Sequence, residues 1–252
     1  MEYKTKKIYC GKYLEIDIIP TTEEKQISKR GKKISLTPNK QKNLNEKNAR
    51  RYFCQLLNTN FNTEDLHITL TYNDYFMPVS YDEANKIAYN YIRRLKNKYK
   101  KQNQELKYVL VTEYTTEETE GEIRIHHHII VNKIFQKDIY IDMWSNKKKP
   151  IGRARSYKLD FNETGIEGLA KYLTKNKGQK KRWSCSQNLD KPYIREKKTR
   201  LSKTKISRLV FDINDKRIWE VDNKGYTYTD ANSVYNEITG LWHFYVRMRK
   251  IE

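Results

Sequence analysis

Cysteine is scarce in this 252-residue chain: Cys10, Cys54 and Cys185 are odd in number, far apart, and never arranged as CxxC. That excludes a disulfide framework and a zinc ribbon, and the three read as reduced, semi-buried small hydrophobes. Long apolar runs are missing too. Nothing approaches the roughly 20 residues needed to cross a bilayer, and the opening MEYKTKKIYC lacks the apolar stretch of a secretory signal. A cytoplasmic protein, with no membrane partner, is the expectation. No GxxxxGK[ST] occurs, so a fused P-loop motor is not expected. Acidic residues are in deficit, with 31 Asp+Glu against 51 Lys+Arg and a formal charge of +20. Such an excess gathers polyanions and speeds their capture, which makes nucleic acid the leading partner. Disorder fits poorly with 20 tyrosines and clear apolar periodicity. The length suits one good-sized domain, or one with an appendage.

What is present divides into three segments. Residues 1–60 read as a basic N-terminal arm and lead-in helix: a strand at Tyr13 to Ile19, a polar loop-like stretch, then a helix from Asn45 with Ala49, Phe53, Leu56 and Leu57 on one side. Residues 61–180 hold the periodic elements. LHITLTY (66–72) alternates and is β-branched, so it reads as a strand. Ser80 and Glu83 form a capping box, and Ala84, Ile87, Ala88, Tyr91, Ile92, Leu95 and Tyr99 follow at helical spacing over roughly 81–101. YVLVTEY (108–114) and IRIHHHIIVN (123–132) are strands joined by a polar hairpin, RARSYKLDF (153–161) is another strand, and TGIEGLAKYLTKN (164–176) is a short helix. Residues 181–252 read as a basic segment and a small β-like tail running from ISRLVFDI to GLWHFYVRMRK. The fold class expected is α+β, a central antiparallel sheet with helices packed on it and a small β-rich C-terminal appendage.

The chemistry concentrates at His126-His127-His128. Side chains alternate along a strand, so His126 and His128 share one face, about 6–7 Å apart, and His127 takes the other. Two imidazoles so placed can share a divalent metal. A third ligand should come from a neighbouring strand. Glu113 sits in an otherwise apolar run on the strand that the 115–122 hairpin folds against the histidines, and an acid is costly to bury there unless paired or metal-bound. Glu117, Glu118, Glu120 and Glu122 are rivals, but in the polar hairpin. Two imidazoles and a carboxylate suit Mn2+ or Mg2+ in a phosphodiester-handling site, and the same set can hold non-haem iron. On the short helix Tyr172 and Lys175 share a face. A phenol is a weak nucleophile at neutral pH; a metal-polarised phosphate and a nearby ammonium would favour its attack. Gly168, a poor helix residue one turn before Tyr172, suggests close approach of another backbone.

Three motifs in order, IleThrLeuThrTyr (68–72), IHHHII with His126 and His128, and Tyr172-Leu-Thr-Lys175, resemble those of HUH-superfamily replication initiators of single-stranded DNA phages and plasmids, especially phage replication-associated proteins of Gram-positive hosts. Glu113 matches the acidic ligand of the preceding strand. His127 departs from the bulky apolar residue usual there. The resemblance implies a sheet like the RNA-recognition fold and metal ligands Glu113, His126 and His128. It further implies a single nucleophile, Tyr172, assisted by Lys175, a 5′-phosphotyrosyl link to DNA, and a freed 3′-OH that primes rolling-circle synthesis. Host helicase and polymerase would then be partners.

Basic residues crowd 171–207. Lys171, Lys177, Lys180, Lys181 and Arg182 are read as phosphate contacts, and Trp183 and Tyr193 as stacking platforms for unpaired bases, so the expected ligand is single-stranded DNA at an origin, extended or in a hairpin. Three other readings compete. A single-tyrosine HUH transposase would be shorter. A mobilisation relaxase would place its tyrosine early and add a third histidine. A non-catalytic RNA-recognition-like binding module would show exposed aromatics on its central strands.

Overall fold

The computed structural model describes residues 1–21, 39–117, 121–147, 149–176, 181–237 and 239–251. In chain order these form β1 (Glu2–Cys10), β2 (Tyr13–Pro20), α1 (Asn39–Asn60), β3 (Leu66–Thr71), α2 (Tyr81–Lys100), β4 (Tyr108–Glu113) and β5 (His126–Val131). Then come α3 (Lys137–Asp142), the two-residue strands β6 (Ser145–Asn146) and β7 (Lys149–Pro150), β8 (Ala154–Lys158), α4 (Glu167–Leu173) and β9 (Ser184–Cys185). The chain ends with β10 (Tyr193–Arg200), α5 (Lys203–Phe211), α6 (Lys216–Val221), β11 (Tyr226–Asn236) and β12 (Leu241–Lys250). Contacts divide them into two units: Met1–Thr59 with Asn162–Gly165 and Lys191–Glu252, and Asn60–Phe161 with Ile166–Asp190.

The second unit is an α+β layer built on a sheet of order β8-β3-β5-β4-β9. Within it β5 runs antiparallel between β3 and β4, while α2 carries the chain from β3 to β4. That is the split βαβ arrangement. Alternation gives each strand two faces. Leu66, Ile68 and Leu70 of β3, Leu110 of β4 and Ile129 and Val131 of β5 join Ala88, Tyr91, Ile92, Leu95 and Tyr99 of α2 in one core, which Tyr140 and Trp144 close. The helix starts where Ser80 accepts from the Glu83 amide, as the capping box predicts. The other face of the same strands carries His67, Thr69, His126, His128 and Glu113. Gly152 leads into β8 against the end of β3, where a Cβ would stand 2.1 Å from the Thr71 carbonyl oxygen and 2.6 Å from Tyr72 Cα. Only glycine fits there.

The first unit joins segments from the two ends of the sequence. Its sheet has the order β10-β1-β2-β12-β11, with β1 pairing both β2 and β10, and β12 pairing both β2 and β11. The residues read as a separate arm and tail therefore share one sheet; a pairing such as Glu2 with Arg200 leaves no local signal. Tyr3, Leu14, Ile16, Ile18, Phe244, Val246 and Met248 pack with Leu201, Ile206, Leu209 and Trp219. Two further expectations are corrected. ISRLVFDI is not a strand but lies largely in α5, which Ser202 caps through the Lys205 amide; Ile206 and Leu209 are buried at helical spacing. And α1 begins at Asn39, earlier than Asn45. Cys10 is buried and Cys54 half-buried, but Cys185 is exposed on the outer strand β9.

Candidate metal centre

Strand pairing sets the ligand positions. In the β4–β5 ladder Glu113 stands directly opposite His126, and Val111 opposite His128. Each ladder partner shares a face, so Glu113 projects between the two imidazoles. One ligand atom from each of Glu113, His126 and His128 lies within 4.8 Å of the others. His128 Nε2 stands 3.4 Å from Glu113 Oε1, and His126 Nε2 3.8 Å from Glu113 Oε2.

Glu113 is 3% exposed and His128 2% exposed. Yet Glu113 Oε1 and His128 Nε2 make no hydrogen bond. Buried polar atoms are ordinarily paired, so two orphans facing each other mark a place for a cation. The distal nitrogens are already committed. His126 Nδ1 lies 2.8 Å from the Arg124 carbonyl oxygen, to which it donates, leaving Nε2 with its lone pair. His128 Nδ1 lies 3.0 Å from His67 Nε2 and 3.3 Å from the Thr69 hydroxyl. Such outer contacts fix the tautomer and the ring orientation of a metal ligand.

The electrostatics favour ligand-ready forms. Burial alone would raise the Glu113 carboxyl, but the imidazoles of His128 and His126 and the Lys175 ammonium outweigh it and hold the carboxyl below its ordinary range. Burial, reinforced by His128 and Lys175, holds His126 below the usual imidazole value despite its carbonyl partner. Burial likewise pushes His67 down to about 4, with His128 adding to it. The buried Glu113/His126/His128 cluster can bind a metal ion.

His127 is fully buried on the opposite face. Its Nε2 is 2.7 Å from the Tyr72 hydroxyl and its Nδ1 2.9 Å from that of Thr112. Burial pushes it down to about 3, so it stays neutral and structural.

The helix α4 brings Tyr172 to the cluster. Its ring stands edge-on to that of His128, with centroids 5.4 Å apart, and is 45% exposed, while Ala170 and Leu173 on the other side of the helix are buried. Lys175 reaches the same place by a different route than a shared helical face. The helix ends at Leu173, and a turn in which the Lys175 amide bonds the Tyr172 carbonyl carries the ammonium back. Lys175 Nζ lies 4.2 Å from the Tyr172 ring centroid and 3.8 Å from Glu113 Oε2. The close backbone approach expected at Gly168 is absent among the described residues; the space beside it is open, on the exposed side of α4.

Of the residues read as DNA contacts, Lys171, Lys181 and Arg182 are exposed and Trp183 is half-buried, all in the unit that holds the cluster. Lys171 pairs with Glu167 one turn away. Tyr193 is 66% exposed and belongs to the other unit, where it lies 5.8 Å from Tyr9. Lys177 and Lys180 lie outside the described residues, as do Glu118 and Glu120; Glu117 and Glu122 are exposed. Two neighbours of the cluster escaped sequence reading. Asn176 donates to Glu113 Oε2 at 2.7 Å, and its only signal is its place directly after Lys175. His67 could have been found by parity, two residues before Thr69 on an alternating strand.

A split βαβ sheet with two histidines and a glutamate clustered on its open face is the architecture in hand. Residues 65–177, which contain every member of that cluster together with Tyr172 and Lys175, match the ORF2 family of replication-associated proteins. This similarity supports a role in replication initiation. No curated protein and no solved structure matches the chain.

Proposed function

We propose that the protein is a metal-dependent single-strand DNA endonuclease and strand transferase of the single-tyrosine HUH type, nicking an origin to start rolling-circle replication. The observation that carries this is the juxtaposition of an exposed phenol, an ammonium and a buried two-histidine, one-carboxylate cluster: the Tyr172 ring lies 5.4 Å from that of His128, and Lys175 Nζ lies 4.2 Å from the former. Glu113, His126 and His128 would hold Mn2+ or Mg2+, which when bound polarises the scissile phosphate and neutralises its charge. Tyr172 Oη forms a bond to phosphorus and the bond to the 3′ oxygen breaks. The phenol proton passes to solvent, and the leaving oxygen takes one up to become a 3′-OH. Lys175 offsets negative charge on the phenolic oxygen and the phosphoryl group. The DNA stays attached through a 5′-phosphotyrosine.

Among the described residues the central strands present threonines, histidines and a glutamate on their open face, where a non-catalytic binding module would show aromatics. Lys171, Lys177, Lys180, Lys181, Arg182, Trp183 and Tyr193 are proposed to hold flanking DNA. The setting is the cytoplasm of a bacterial host whose helicase and polymerase extend the freed end, the replicon being that of a phage.

The test incubates the protein and Mn2+ with labelled single-stranded oligonucleotides tiled across the replicon that encodes it. A denaturant-stable protein–DNA adduct is expected, lost in Tyr172→Phe. An adduct that survives Tyr172→Phe overturns the nucleophile, and cleavage retained in His126→Ala/His128→Ala overturns the metal centre.

A further inference from the structure

The open face of the second unit does not end at the metal cluster. Beyond β3 lies the edge strand β8, and its ladder continues the same rows: Arg155 stands opposite Thr69, which stands opposite His128, and Tyr157 stands opposite His67. Arg153 lies beside Thr71, whose amide and hydroxyl both donate to the Arg153 carbonyl oxygen, and Thr71 is in turn opposite His126. Alternation therefore puts Arg153, Arg155 and Tyr157 on the histidine face. All three are exposed, Tyr157 at 56%. Neither guanidinium engages another described side chain.

An edge strand with two unneutralised arginines and an exposed tyrosine on one face has a composition that folding does not require. Interstrand spacing puts the Arg155 backbone two strands, about 10 Å, from that of His128, within reach of a long side chain and a neighbouring nucleotide. Side chains two residues apart recur about every 6.6–7 Å along a strand, a step that suits successive phosphates of an extended single strand. Arginine binds phosphate through paired donors, and a tyrosine face accepts a base whatever its identity.

We infer that β8 is a single-stranded DNA track: Arg153 and Arg155 hold consecutive phosphates of the strand that crosses the metal cluster, and an unpaired base stacks on Tyr157. This rests on reading the cluster as a DNA-handling site, but the track binds DNA whether or not the cluster cuts it. The occupant is extended single-stranded DNA, because the positive charge lies in one row on an open sheet face and the aromatic ring between backbone contacts needs an unstacked base.

The test reads binding, in EDTA, by anisotropy of a fluorescein-labelled single-stranded 25-mer of mixed sequence, so that failure of nicking and failure of the track are separate results. Arg153→Glu/Arg155→Glu is compared with Arg93→Glu/Lys96→Glu, an equal charge change at exposed positions of α2, on the opposite side of the sheet. The track variant should bind at least tenfold more weakly, and its salt dependence should flatten by about 1.4 in log–log slope for two lost phosphate contacts. The α2 variant should lose less than threefold. Tyr157→Ala should lose about tenfold and Tyr157→Phe should retain binding. Equal weakening by the two charge variants would reduce the effect to net charge and overturn the track. Unchanged binding by Arg153→Glu/Arg155→Glu would overturn it too, leaving the β8 face to a protein partner.

Discussion

His67 Nε2 sits 3.0 Å from His128 Nδ1, one imidazole holding another by the edge that faces away from Glu113. To bind metal through Nε2, His128 must carry its proton on Nδ1 and donate it to His67. The contact thus selects both the tautomer and the ring angle. Removing the acceptor while keeping a planar ring, as in His67→Phe, should weaken Mn2+ binding by about 10- to 100-fold. Calorimetric titration measures this directly. Affinity within threefold of the parent protein would show that Thr69 alone suffices to orient His128.

Lys175 and the metal make opposite demands on Glu113. The ammonium lies 3.8 Å from Glu113 Oε2, where it partly neutralises the carboxylate that a cation needs. Its contribution should therefore appear in the chemistry and not in metal affinity. Lys175→Ala should slow single-turnover cleavage by about 100-fold, the scale of losing one well-placed charge-stabilising donor. Mn2+ affinity should hold or rise. A parallel fall in both would reassign Lys175 to building the cluster.

His127 offers the reverse case, a histidine with no part in the chemistry. Both its partners keep a second bond without it: the Tyr72 hydroxyl also donates to the Ala84 carbonyl, and the Thr112 hydroxyl to Asn85 Oδ1. An apolar replacement of similar volume thus strands no buried donor, and His127→Leu should cost about 1 kcal/mol or less. His127→Ala should cost about 3 kcal/mol through the cavity it opens. Urea unfolding separates the two, and both variants should bind Mn2+ as the parent does.

Where the sequence was legible, it was because a period or a cap wrote the answer locally. LHITLT, HHHIIV and the Ser80 box set the central sheet and α2, and parity alone separated His126 and His128 from His127. The pairing of Glu113 with His126 could be read because one hairpin joins their strands. The rest depends on contacts that have no local period. Nothing in EYKTKKIYC announces that β1 will pair with β10 from the far end of the chain, or that β12 will complete that sheet. Asn176 reaches Glu113 by a turn that a helix drawn through 176 would have hidden.

The first unit carries its own buried charge. Arg51 of α1 lies 2.6 Å from Glu15 Oε2 and 3.0 Å from Asp17 Oδ1, and Gln55 adds a 2.7 Å bond to the same Glu15 oxygen. Glu15 is buried at the centre of the sheet, on β2 between β1 and β12. Desolvation works against Arg51, but the two carboxylates more than reverse it and raise its guanidinium still further above its ordinary value. A buried pair stabilises little over an apolar substitute, yet removing one partner leaves the other charge stranded. Arg51→Met should therefore cost about 3 kcal/mol, with Gln55 satisfying only part of the Glu15 carboxylate. The double substitution Arg51→Met/Glu15→Gln should recover most of that loss, because no ionised group then remains in low dielectric beside Gln55. Chemical denaturation of the two variants decides the matter. A double variant no more stable than Arg51→Met would mean that the loss comes from packing of the arginine stem against Tyr245, whose ring centroid lies 4.7 Å from the guanidinium carbon, and not from the stranded charge.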